Sequence, residues 1–236
     1  MQKGKLILVA TPIGDYPLRQ DTISQLEIGI EKNAVFVVEE LKIGRRRWIH
    51  WGLPRSVVDD FRCLNEHNAK KESYNIYDLL ASGRDVFLMS DCGLPAFYDP
   101  GQELVNICHE RGAQVTATAF DNSFALAIAL SGFPHQQFFF AGHLPAKDKV
   151  LRQDKLTKLL ENPDVVVLMD TPYRLVRLIE EVYDHPASSK RHYFLGMDLG
   201  TAQEECLRGN INSLRKKIGS NKREFVLVMG PLAKNK

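Results

Sequence analysis

The sequence predicts an α/β protein: a doubly wound, mostly parallel sheet in the first half and a mixed sheet in the second. Three observations predict it. Short apolar runs (Leu6–Ala10, Ala34–Val38, Val86–Met89) read as strands, the last two with the pattern of strands buried on both faces, although period alone does not exclude a helix, and Gln114–Thr118 is the next strand. Stretches of helical period lie between them, and cap or turn residues mark the junctions. After Thr118 the alternation becomes less regular, which is why a mixed sheet is expected there.

In order, Leu6–Ala10 runs into Thr11-Pro12-Ile13-Gly14-Asp15, whose single glycine falls short of the several that a dinucleotide phosphate turn needs. Asp21-Thr22 caps a helix to about Lys32, and the strand Ala34–Val38 ends in Glu39-Glu40. Residues 41–56 are basic and aromatic without a period and read as a surface loop, with phosphate binding as the functional alternative. Phe61–Leu64 is a short strand, and Tyr74–Ser82 a helix closed by Gly83. The central stretch is Val86–Gly101: a four-residue apolar strand, then Ser90-Asp91-Cys92-Gly93, and a helix begun by Asp99 as N-cap and Pro100 at its first position. In open α/β sheets such crossings at the carboxyl ends of strands hold ligands. Asp91 at this mouth either contacts a ligand or caps its own turn.

In the second half, Phe124–Leu130 is apolar nearly all round and should be buried. Gln137–Ala141 is a strand, Leu144–Val150 an exposed connection, and Leu151–Leu160 an amphipathic helix with Leu156, Leu159 and Leu160 inward. Strand Val165–Met169 leads to Asp170, then a helix capped by Thr171 with Pro172 next, its inner face Leu175, Leu178, Ile179 and Val182. Tyr193–Met197 and Phe225–Met229 are strands and Ile211–Ile218 a helix. Thr201–Arg208 is ambiguous between a capped helix and an edge strand.

Composition narrows the function. At 236 residues, with 44% hydrophobic and 25% charged residues, the chain has the make-up of a soluble globular protein. No apolar run approaches the roughly 18 residues of a membrane span, and the N-terminus lacks a signal-peptide layout, so a cytoplasmic location is expected. Cysteines 63, 92, 108 and 206 form no CxxC pair and should stay reduced. Seven histidines without HExxH spacing make a metal centre unexpected. The pI near 8.3 is below the value above about 9 typical of a dedicated nucleic-acid-binding domain. The basic residues are nevertheless clustered, at Lys42 and Arg45–Arg47 beside Trp48 and Trp51, and again at Arg215–Lys217 and Lys222-Arg223.

Six stretches then carry a resemblance in register: Leu8–Gly14, Ser90–Pro95, Asp99–Gly101, Gly142–Pro145, Thr171–Leu175 and Arg223–Gly230. Together they resemble the tetrapyrrole-methylase-like (class III) methyltransferases over nearly the full length, most closely the branch that methylates a cytidine ribose 2′-hydroxyl in small-subunit ribosomal RNA. The resemblance implies two αβα domains, 1–117 and 118–236, in a homodimer with S-adenosyl-L-methionine in the cleft between them. By position it implies cofactor contacts from Pro12 and Ile13, from Asp91, Gly93, Leu94 and Tyr98, from Ser123 and Phe124, and from Met169 and Pro231. The chain departs from the branch in Glu39-Glu40-Leu41-Lys42, in Phe120-Asp121-Asn122-Ser123 and in Thr171-Pro172-Tyr173-Arg174, which leaves the cofactor core better supported than the acceptor.

The implied reaction is in-line methyl transfer from a sulfonium to an oxygen or nitrogen nucleophile, which needs alignment and placed charge above all. No catalytic residue is assigned; Glu39, Glu40, His67 and Arg47 are the groups to test for helping an acceptor hydroxyl. Three functions stay open: an RNA ribose methyltransferase, a methylase of a tetrapyrrole or other small acceptor, and a non-catalytic module that binds the cofactor or RNA.

Overall fold

A computed structural model describes residues 2–12, 16–220 and 222–233, and the chain divides into two compact units, Met1–Asp121 and Asn122–Lys236. In the first unit nine elements alternate: β1 (Lys5–Val9), α1 (Gln20–Glu31), β2 (Val35–Val38), α2 (Leu41–His50), β3 (Arg62–Cys63), α3 (Ala69–Ala81), β4 (Val86–Met89), α4 (Gln102–Glu110) and β5 (Gln114–Ala117). The strands lie in the order β3-β2-β4-β1-β5, and every pairing is parallel.

Successive residues of a strand face opposite sides, so each buried strand feeds two cores. Leu6, Val35, Val37, Val86 and Leu88 pack with α3 and α4 on one face. Ile7, Val9, Phe36, Val38, Phe87 and Met89 pack with α1 and α2 on the other. The connection from β1 leads to β2 on one side of β4, whereas that from β4 leads to β5 on the far side of β1. The β1/β4 boundary is therefore the topological switch point, and it is there that a crevice opens at the carboxyl ends. Register makes those ends level: Val9 and Val38 both pair with Met89.

Three local expectations are corrected. Residues 41–56 are not a loop but α2 followed by a 3-10 turn over Arg55–Asp60. Trp48 explains why: it is fully buried edge-on against Phe36 and Phe61, with its indole N–H donated to the Pro54 carbonyl. One buried aromatic anchors a helix whose polar remainder shows no readable stripe. Second, α4 begins at Gln102 rather than Pro100, with Gly101 in the N-cap position at φ +127°. A Cβ on Gly101 would stand 2.8 Å from Leu88, so the tight entry needs glycine on both counts. Third, Asp21 lies inside α1, which starts at Gln20, and pairs with Arg19 instead of capping the helix.

The second unit holds α5 (Ser123–Ser131), β6 (Phe138–Gly142), α6 (Lys149–Glu161), β7 (Val165–Asp170), α7 (Leu175–Tyr183), β8 (Tyr193–Met197), β9 (Glu205–Gly209), α8 (Ile211–Lys217) and β10 (Phe225–Met229). Its sheet runs β6-β7-β10-β8-β9; β6 and β7 are parallel and the other pairs antiparallel. The ambiguous stretch is thus an edge strand: Glu204 accepts from the Gly200 amide and Thr201 from the Gln203 amide, which spends both in a turn. All four inner residues expected on α7 are buried, in one core with α6 and α8. On the opposite face α5 buries Ala127 and Ile128 against the sheet but leaves Leu126 and Leu130 exposed, so it is not enclosed all round as its sequence suggests. Leu144, read as part of an exposed connection, is buried in the α6–α8 core. Among the described residues no helix is long and apolar enough to cross a membrane.

Candidate cofactor site

Each site residue is placed by the strand it follows. After β1, Thr11 forms an isolated antiparallel bridge with Gly93: its N–H donates to the Gly93 carbonyl (2.8 Å) and its carbonyl accepts from the Gly93 N–H (2.9 Å). The loops after β1 and β4 are therefore stitched together across the switch point. Pro12 follows, its carbonyl accepting from the Arg47 guanidinium of α2, which also lies 5.4 Å from the Trp51 ring. Ile13 lies outside the described residues.

After β2 and β4, Glu39 and Asp91 interlock. The Asp91 N–H donates to the Glu39 carboxylate at 3.1 Å, and the Asp91 carboxylate accepts from the Glu40 N–H. Burial pushes the Asp91 carboxyl above its ordinary value, and the Glu39 and Glu40 charges push the same way. Asp99, read from sequence as a helix cap, instead joins this group. Burial, then the Glu39 and Asp91 charges, raise it to about 6 against an opposing hydrogen bond from Ser90. Sequence offered no signal for Asp99 beyond its place before Pro100, where a cap is the usual reading.

Gly93 (φ +84°), Ala96 (+66°), Tyr98 (+65°) and Gly101 (+127°) give this loop four left-handed residues. For Ala96 and Tyr98 that conformation costs about 1–2 kcal/mol each. Backbone bonds from Ala96 to Pro100 (3.2 Å) and from Phe97 to Leu94 (3.2 Å) hold it, and the Phe97 and Tyr98 rings meet edge-on at 5.2 Å. Such strain is characteristic of ligand clamps. Pro12, Asp91, Gly93 and Leu94 thus come together at the switch point, and Tyr98 lies exposed farther along the same loop.

The first unit therefore carries three carboxylates, Glu39, Asp91 and Asp99, whose mutual repulsion a cation would relieve. A ligand with a sulfonium and an ammonium group fits that donor set. The other groups singled out in sequence serve elsewhere. Arg45 donates to the Val58 carbonyl (3.0 Å) and pairs with Asp59 (3.7 Å), while His67 is 85% exposed beside Glu66.

In the second unit Ser123 opens α5, whose N-cap Asn122 accepts from the Phe124 and Ala125 amides. The Phe124 ring lies tilted at 35° to that of Phe140, centroids 4.6 Å apart, in the same core as Met169 near the end of β7. Pro231 does not join them. β10 runs antiparallel to β7 with Val226 opposite Met169, so Pro231, five residues on, sits at the other end of the sheet, about 17 Å away along the strand.

The end of β7 carries a network that sequence did not reveal as a site. The Asp170 carboxylate has no exposed surface and meets Arg152 (3.2 Å), Arg174 (2.7 Å) and His143 (3.7 Å). Burial alone would raise its carboxyl, but His143, the Thr171 N–H and Arg174 hold it down to about 2. The available signal was Arg152, which precedes Leu156 and Leu159 on the apolar stripe of α6 at helical spacing.

A doubly wound parallel sheet with an acidic group at its switch point, followed by a mixed-sheet unit, defines a two-unit α/β protein. The profile of the Tetrapyrrole (Corrin/Porphyrin) Methylases matches residues 33–215, and the chain belongs to that family. It is 30% identical over 209 residues to a Thermotoga maritima protein named Ribosomal RNA small subunit methyltransferase I, covering 89% of each chain. Among solved structures it resembles a diphthine synthase (TM-score 0.62, 14% identity, 98% of this chain and 90% of that one). It also resembles uroporphyrin-III C-methyltransferase from Thermus thermophilus complexed with S-adenosyl homocysteine (TM-score 0.56, 14% identity, 96% and 97%).

Proposed function

We propose that this chain is an S-adenosylmethionine-dependent methyltransferase acting on a cytidine ribose 2′-hydroxyl of small-subunit ribosomal RNA. The observation that carries the cofactor is the Glu39–Asp91–Asp99 group at the switch point. The Thermotoga maritima relative, matched along 89% of both chains, supports the acceptor. When bound, the cofactor supplies a methyl group on a sulfonium that is already a good leaving group. Asp91 accepts from its ammonium group, and Glu39 and Asp99 set a negative potential around its positive charge. Gly93 and Leu94 line the crevice, the stitched Thr11–Gly93 pair fixes its width, and Pro12 is held from behind by Arg47. Asp99, with its carboxyl near 6, exchanges a proton close to neutral pH, the property asked of a group that responds to charge in a site.

Transfer of labelled methyl from S-adenosylmethionine into purified small ribosomal subunits, beside precorrin-type acceptors, tests the acceptor. Label in subunit RNA and none in the tetrapyrroles is expected; the reverse would reassign the enzyme to a small acceptor. Cofactor binding with no acceptor labelled in a cell extract would leave a binding module. We further propose a cytoplasmic homodimer. Phe138 and Phe139, 44% and 50% exposed on the edge strand β6, are the kind of apolar edge a second chain covers. Light scattering on the purified chain at a monomer mass would remove that part.

A further inference from the structure

The side of the second unit formed by α6 and α7 holds a cavity of about 410 Å³ lined by Lys149, Arg152, Gln153, Arg177 and Glu181. It is separate from every residue assigned above to the cofactor. Its floor is unusual. Arg152 is 1% exposed, and its guanidinium spends Nε on Glu181 (2.7 Å) and Nη1 on the Pro145 carbonyl (3.1 Å) and Asp170 (3.2 Å). Its Nη2 is buried and has no hydrogen-bond partner among the described residues. An unmatched donor on a buried cation costs about 1–3 kcal/mol, and a ligand oxygen removes that cost.

The surroundings fix the sign of that ligand. Lys149, in the first turn of α6, and Arg177, on α7, add two cations at the rim. The acidic groups are already engaged: Glu181 accepts from both Arg152 and Arg177, and Asp170 from both Arg152 and Arg174. Asp148, the N-cap of α6, is spent on the Leu151 amide. Three arginines thus share two carboxylates in one connected network with Lys149 at the cavity rim beside it, and what remains unmatched is a fixed donor. A planar guanidinium held from behind, with cations around it, matches a phosphate oxyanion. The cavity is open to solvent at a volume near the lower end of ligand sites (roughly 300–1,000 Å³), which suits one phosphate of a longer strand rather than an enclosed small molecule.

We propose that this cavity is an oxyanion site that seats a backbone phosphodiester of the RNA acceptor. The inference rests on the ribosomal RNA reading and adds to it a docking point lined by residues not assigned to the cofactor. Phosphate contacts position a strand without reading its sequence, so the site would set where the RNA lies while leaving base choice to other residues.

The test uses the full chain with Lys149→Ala and Arg177→Ala combined, because both side chains are rim groups whose loss leaves Arg152 and Asp170 paired. Arg152→Gln is the direct variant but removes a buried partner of Asp170 and serves only if it folds. Fluorescence anisotropy with a labelled single-stranded RNA from the small subunit should show roughly tenfold weaker binding, and the slope of log affinity against log salt should fall by about 0.7–1.4, as for one or two lost phosphate contacts. Affinity for S-adenosylmethionine by calorimetry and the melting temperature should be unchanged. RNA affinity and slope equal to those of the parent chain would overturn the site. Loss of inorganic phosphate binding with RNA binding intact would make it a free-phosphate site and overturn the strand assignment. Equal loss of binding to an acidic peptide would do the same. If the parent chain methylates ribosomal subunits while the variant binds RNA normally, this inference alone falls. If the parent chain binds cofactor but no RNA, the acceptor reading falls and takes the site with it.

Discussion

Both units end a central buried strand at an aspartate, and they treat it in opposite ways. Asp91, two residues past β4, is surrounded by further carboxylates and pushed up, as is Asp99, which reaches about 6. Asp170, the last residue of β7, is surrounded by Arg152, Arg174 and His143 and held at about 2. Burial opposes ionisation at all three; the neighbours decide the outcome. The first arrangement is destabilising by itself and gains from a cation, which is the mark of a binding site. The second is satisfied internally and is a structural joint whose one loose end is Arg152 Nη2. Carboxyl strand ends of the same type can therefore be ligand-seeking or self-sufficient, and the charges one residue away distinguish them.

The comparison is most exposed to Asp170→Ala. That change removes the buried acceptor that Arg152, Arg174 and His143 share, leaving Arg152 paired with Glu181, and should cost about 3–5 kcal/mol, read as a lower urea midpoint. A loss under about 1 kcal/mol would mean the network is not holding the unit together. Next, Asp91→Ala should weaken S-adenosylmethionine binding by about tenfold, roughly 1.4 kcal/mol, in calorimetry with little change in melting temperature. Equal affinity would remove Asp91 from the site.

The pH responses should run in opposite directions. Asp99 has a folded value raised above the unfolded one, so the folded state holds more protons between about 4 and 6, and this group subtracts stability as pH rises through that window. Asp99→Asn should therefore stabilise the ligand-free protein by about 1–2 kcal/mol at pH 8 and by little at pH 4. It should also flatten the rise in cofactor affinity between pH 5 and 7. Asp170 has a depressed folded value, so its contribution of about 2 kcal/mol is present above pH 4 and lost as pH falls towards 2. Denaturation curves at pH 3, 5 and 8 for the parent chain and both aspartate variants would separate the two. The smallest effect is expected from Ala96→Gly, which relieves a left-handed alanine (φ +66°) and should stabilise the chain by up to about 1 kcal/mol unless the added flexibility offsets it.

Much of the fold could be read directly because its strands are short apolar blocks: β4, β8 and β10 match their sequence limits to the residue. What was not legible depended on partners distant in sequence. α2 is held by Trp48 against β2 and the turn after it, a contact that no local period announces. Asp99 has the sequence context of a cap, and only the meeting of the ends of β2 and β4 turns it into a member of an acidic group. Pro231 follows a strand whose direction in the sheet cannot be taken from its composition; β10 runs antiparallel to β7, which sets Pro231 at the other end of the sheet from Met169. The residues after β4 were identifiable because turn chemistry there is local; their charge environment was not.

The Arg47 link has a practical consequence. This side chain bridges the Pro12 carbonyl and the Trp51 ring, and the chain has only one other tryptophan, Trp48, sealed in the core. Any ligand that shifts the Pro12 segment must tug on the cation beside Trp51 while Trp48 stays dark to the event. The molecule thus contains its own optical gauge: emission from one indole would follow loop occupancy, and the other would provide the built-in baseline.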